Sequence, residues 1–130
     1  MSGKREEGLK VVSEMLALTP EAVDALKKGN TSDGFAGHLA ELAMEHAFAD
    51  LWTRPGLDRR ARSLVTLGIL IGLRASSELE FHFVAAVRNG LTIQEIEEVI
   101  YHSTAYAGFP AASSARAVAL EALRRAKLVV

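Results

Sequence analysis

Glu78 and His82 stand four residues apart in Glu78-Leu79-Glu80-Phe81-His82. On a helix this spacing puts carboxylate and imidazole on one face, where the carboxylate can orient the ring or favour its charged form. Such a pair is suited to proton transfer near neutral pH. Its bland counterpart is a surface pair worth roughly 0.2–0.5 kcal/mol. Upstream, the run Trp52-Thr53-Arg54-Pro55-Gly56-Leu57-Asp58-Arg59-Arg60-Ala61-Arg62-Ser63-Leu64 sets four arginines within nine residues, next to a tryptophan. Guanidinium forks match carboxylate geometry, so Arg62 and Arg59 are candidate anchors for a small anionic substrate. Arg62 is preferred because it borders an apolar run. The same arginines can also form a solvated face or pair with glutamates across a subunit interface. Trp52 and Tyr106 can wall a pocket, with the Tyr106 hydroxyl as a donor, or they can be core packing.

His102 lies four residues before Tyr106 and shares its face, which reads as a structural histidine. His38 and His46 alternate with Glu41 and Glu45 without forming a specific metal-binding motif, so no metal is expected.

These groups need a scaffold, and the composition bounds it. A chain of 130 residues is read as one compact domain. Hydrophobic residues at 49% and charged residues at 24% describe a folded protein. A formal net charge of −1 argues against nonspecific binding to nucleic acid or to an anionic membrane. With no cysteine, the chain has no disulfide, thiolate metal site or thiol redox chemistry. The polar start, Met1-Ser2-Gly3-Lys4-Arg5-Glu6-Glu7, lacks the apolar core of a secretory signal, so a cytoplasmic location is expected. The longest apolar run, Leu64 to Leu73, is short of the roughly 20 residues of a membrane span and reads as a helix buried on most sides.

Helical periodicity dominates, giving an all-α expectation. Leu9, Val12 and Leu16 mark a first helix. Thr19-Pro20-Glu21 reads as cap, first-turn proline and early carboxylate of a second, ending near Gly29-Asn30. Phe35, Leu39, Leu42, Ala43, His46, Ala47 and Leu51 trace a third helix, stopped by Pro55-Gly56. Asp58 can cap a fourth running to about Arg74. Ser77 with Glu80 has the spacing of a capping box for a fifth, closed by Asn89-Gly90, and Thr92 with Glu95 repeats the device for a sixth. Pro110 opens a seventh that carries Ala117, Leu120 and Leu123.

Together with Ala86-Val87-Arg88-Asn89-Gly90 and Tyr106-Ala107-Gly108-Phe109-Pro110-Ala111-Ala112, the segments from Trp52 to Leu64 and from Glu78 to His82 resemble the carboxymuconolactone decarboxylase family over roughly residues 35 to 125. The resemblance implies the all-helical alkyl hydroperoxidase D fold, assembled as a homo-oligomer, either trimer or hexamer. It also implies cofactor-free decarboxylation of 4-carboxymuconolactone, as in protocatechuate breakdown. Loss of carbon dioxide from such a lactone leaves a dienolate-like oxyanion needing nearby donors, and a proton must then reach carbon. His82 is the expected proton donor and Glu78 its partner, with Arg62, Arg59, Trp52 and Tyr106 at the substrate.

Decarboxylases of that family carry a histidine and arginines in an N-terminal segment, and Val11 to Glu21 here has neither. The fold's peroxidase branch needs Cys-x-x-Cys-x-x-x-His and an upstream glutamate. Ala75, Glu78 and Ser63 occupy those positions, so thiol peroxidase chemistry is excluded. The alternative from another class is a non-catalytic oligomer binding a small metabolite, with the alanines between Ala105 and Ala126 packing subunits together.

Overall fold

The computed structural model describes residues 2–29 and 34–130. The described residues are helical with no strand among them, and their contacts fall into two compact units, Met1–Asp58 and Arg59–Val130.

In the first unit, α1 spans Ser2–Leu16 and α2 spans Pro20–Gly29. A left-handed Ala17 (φ 52°) ends α1. The Thr19 hydroxyl accepts the Ala22 N–H at 3.1 Å, the cap anticipated ahead of Pro20. Asn30, expected at the end of this helix, lies outside the described residues. The third helix begins later than its apolar pattern suggests: α3 covers Leu39–Leu42 and continues as a π-helix over Ala43–Leu51. Phe35 precedes it and is fully exposed, and Leu39 and Leu42 also face solvent. From Ala43 onward, bonding to the fifth residue back, seen where the Trp52 N–H reaches the Ala47 carbonyl at 2.9 Å, advances the buried face differently from an α-helix, so that Ala49 and Trp52 are buried while His46 and Leu51 of the stripe are exposed. This segment packs along α1, burying Leu9, Val12, Met15, Ala49 and Trp52. The approach is closest at Gly8, where a Cβ would lie 2.1 Å from the Met44 carbonyl oxygen.

The second unit holds α4 (Arg59–Leu73), α5 (Ser76–Arg88), α6 (Ile93–Tyr106) and α7 (Phe109–Arg125). A two-residue link joins α4 to α5. Arg74 turns left-handed (φ 57°) and Ala75 N–H closes on the Leu70 carbonyl at 3.0 Å. This tightness starts α5 at Ser76, so Ser77 falls inside the first turn and the expected Ser77–Glu80 capping box does not form. The other end behaves as read: Gly90 adopts φ 109° and the Leu91 N–H returns to the Ala86 carbonyl at 2.9 Å. Thr92 and Glu95 form the anticipated reciprocal capping box on α6. Gly108 (φ 95°) precedes α7, whose second residue is Pro110.

Leu67, Ile71, Leu79, Phe83, Ile96 and Leu123 form the core of this unit. Buried Ala111, Ala115, Ala119 and Ala122 let α7 pack closely on α5 and α6. The small residues read as subunit contacts are therefore used within one chain, while Ala117 points outward. The apolar run of α4 is buried on one side only. Ser63, Leu67 and Ile71 face in, whereas Val65, Ile69 and Leu73 are 53, 56 and 70% exposed. No helix among the described residues is long and apolar enough to cross a membrane.

Candidate functional site

α5 places Glu78 and His82 one turn apart, each directly before an inward-facing residue, Leu79 and Phe83, which are 2 and 0% exposed. Those two anchors rotate His82 partly into the protein. Its Nδ1 is sealed from solvent, and the Phe81 ring sits edge-on with centroids 4.8 Å apart. Glu78 remains exposed. Burial lowers the imidazole pKa from 6.5 to about 4, and the Glu78 charge, which favours the protonated ring, recovers only part of that loss. The sequence suggests an imidazole titrating near neutrality; the structure gives one that rests neutral at pH 7. A neutral ring can accept a proton directly. It becomes a donor when a bound anion adds negative charge beside it.

Arg59 and Arg62 lie half-buried on the first turn of α4. Ser63, next to Arg62, is 2% exposed, and its hydroxyl oxygen accepts a hydrogen bond from the Asn89 side-chain amide at 2.9 Å. This contact sets the start of α4 beside the end of α5, so the two helices run antiparallel. Arg62 is then offset from His82 by the seven residues to Asn89, about 10 Å at the α-helical rise. The unit therefore carries Arg62 and His82 on adjoining helices, separated by two turns. Trp52 belongs to the first unit, where it is 9% exposed and stacks on Phe48 with centroids 6.3 Å apart.

Tyr106 closes α6 and is 83% exposed. It does meet His102, with ring centroids 5.2 Å apart, as their spacing suggests. His102 is exposed rather than structural. It lines a groove of about 440 Å³ between α4 and α6, together with Arg60, Leu64, Gly68, Glu95, Glu98, Val99 and Ser103. The Arg60 guanidinium pairs with the Glu95 carboxylate, whose other oxygen accepts the Thr92 N–H at 2.9 Å. That backbone bond and the guanidinium hold the Glu95 carboxyl below the usual range. Sequence reasoning passed over Arg60 in favour of its neighbours, and only the Glu98–His102 spacing, a second Glu-x-x-x-His, hinted at this groove. His38 Nδ1 lies 3.5 Å from the Glu41 carboxylate on the exposed surface of the first unit. Among the described residues no three histidines or acids converge as metal ligands.

Residues 37–121 match the carboxymuconolactone decarboxylase family. A nitrosuccinic acid decarboxylase from Metarhizium robertsii is 40% identical over 113 residues, covering 87% of this chain and 76% of that protein. A 4-carboxymuconolactone decarboxylase from Acinetobacter baylyi is 42% identical over 78 residues, covering 60% of this chain and 58% of that protein.

Proposed function

This chain belongs to the carboxymuconolactone decarboxylase family, and from that premise we propose that it decarboxylates a small dicarboxylic acid whose carbon dioxide loss leaves a delocalised carbanion. The substrates named for the two relatives share this chemistry. Breaking the carbon–carboxylate bond of nitrosuccinic acid beside the nitro group moves the electron pair into a nitronate; the same step in 4-carboxymuconolactone gives a dienolate. The substrate's own substituent is the electron sink, so the reaction calls for donors at the developing oxyanion and one proton returned to carbon.

The observation that carries this reading is the 40% identity to a decarboxylase across 87% of the chain. In the proposed assignment the substrate dianion raises the proton affinity of His82, which then protonates carbon with Glu78 as its partner, while Arg62 and Arg59 hold the carboxylates. Nitrosuccinate is the first substrate to test, because the match to its decarboxylase reaches further along the chain. A cytoplasmic homo-oligomer, trimer or hexamer, completes the proposal. The exposed apolar face of α4 formed by Val65, Ile69 and Leu73 supports it.

Carbon dioxide release from nitrosuccinate and from 4-carboxymuconolactone is the test, with wild type and His82→Gln compared at matched oligomeric state. Turnover of one compound, lowered about a hundredfold in the variant, is the expected result. A wild type inert toward both sinks the reading in favour of a metabolite-binding role.

A further inference from the structure

A pocket of about 290 Å³ lies between α6 and α7 and includes neither Glu78 nor His82. The two-residue link of Ala107 and Gly108 turns the chain back on itself, so these packed helices run antiparallel. Positions equally far from the link fall abreast, which sets Ala119 level with Ile96 and Arg116 level with the turn of α6 from Glu97 to Tyr101. The body of the pocket is apolar, built by Ile93, Ile96, Ile100, Leu120, Leu123 and Val129. Val129 reaches it through the turn that ends α7. Lys127 is left-handed (φ 60°), the Leu128 N–H returns to the Leu123 carbonyl at 2.9 Å, and Arg124 Nε donates to the Val130 oxygen at 3.1 Å. At the opposite end the lining turns polar with Glu97, Tyr101 and Arg116. Among the described residues neither Glu97 nor Arg116 has an ion-pair partner, although the two line one pocket.

We propose that this pocket binds a free α-amino acid with an apolar side chain of leucine size. Its carboxylate lies on the Arg116 guanidinium, its ammonium on the Glu97 carboxylate, and its side chain among Ile96, Ile100 and Leu120. An α-amino acid carries both charges on one carbon, so a single head inserts between a cation and an anion that do not meet each other. The charges balance: one unpaired guanidinium and one unpaired carboxylate face a ligand whose own net charge is zero. A plain carboxylic acid would meet Glu97 as a like charge, and a plain amine would meet Arg116. The guanidinium fork can take both carboxylate oxygens, and the Tyr101 hydroxyl at the same end is a further donor. The volume stands at the small end of ligand sites, which run from roughly 300 to 1,000 Å³. That size suits one amino acid rather than a nucleotide cofactor. Neither the site nor its ligand depends on the decarboxylase reading.

L-leucine is the probe, titrated into the whole chain and followed by amide NMR. Shifts are expected on the pocket faces of α6 and α7 and at residues 128–130. Glycine, which has the head without the apolar chain, should bind at least about tenfold more weakly. So should 4-methylpentanoate, which lacks the ammonium, and 3-methylbutylamine, which lacks the carboxylate. Glu97→Gln should weaken L-leucine at least about fivefold while tightening 4-methylpentanoate, and Arg116→Gln should weaken L-leucine equally while tightening 3-methylbutylamine. Both side chains are exposed, so the fold is retained, and a crossed change of preference is something that a merely structural effect would not produce. Glu98→Gln, on the α4-facing side of α6, should leave L-leucine affinity unchanged. No binding of L-leucine by wild type, or shifts confined to other helices, overturns the proposal. Tighter binding of 4-methylpentanoate than of L-leucine, or variants that weaken all three ligands alike, overturns it as well.

Discussion

His82 makes the stability of this protein depend on pH in a direction that its burial dictates. The folded imidazole titrates at about 4 against 6.5 for the free side chain. Between these values the unfolded chain binds a proton that the native state refuses, so unfolding stability rises with pH across this window. His82 imposes no penalty well above pH 6.5, a growing one as pH falls toward 4, and a constant one below. A shift of this size corresponds to about 3 kcal/mol in full, and about 2 kcal/mol of it develops between pH 7 and pH 5. Urea unfolding followed by circular dichroism at both pH values, for wild type and for His82→Gln, isolates the term. Wild type should lose about 2 kcal/mol more than the variant on acidification. Ring-proton NMR should place the native titration of His82 well below neutrality. Equal losses in the two proteins would refute the claim that burial outweighs Glu78.

Two further perturbations probe the packing that holds the candidate groups. Gly8→Val would drive a side chain into the Met44 carbonyl, which backbone must yield to; a loss of at least about 2 kcal/mol is expected, read as a fall in the thermal midpoint. A melting curve matching wild type would mean that α1 and the π-helix are not so closely apposed. Asn89→Ala strips the buried Ser63 hydroxyl oxygen of its hydrogen-bond donor and should cost about 1–3 kcal/mol in denaturant unfolding. Unchanged stability would show that this contact does not hold α4 against α5.

Much of the local architecture was legible in the residues. Thr19, the Thr92–Glu95 box, Gly90 and Pro110 act within one turn of chain, and each performs as its chemistry requires. Ser77 with Glu80 has the same credentials and fails, because the two-residue link after α4 leaves no room for a cap outside the helix. The third apolar stripe misleads for another reason: its period presumes α-helical bonding, and the chain adopts a π-helix from Ala43 to Leu51.

The sequence by itself determined the helical class, the family through motifs spread from Trp52 to Ala112, the absence of thiol chemistry, and the placing of Glu78 and His82 on one helical face. Tertiary structure alone decided that His82 rests neutral, that the apolar run of α4 leaves Val65, Ile69 and Leu73 exposed, and that Arg60 finds Glu95. Caps, turns and helical faces depend on neighbours a few residues away, whereas desolvation and ion pairing depend on which surfaces distant segments bring together.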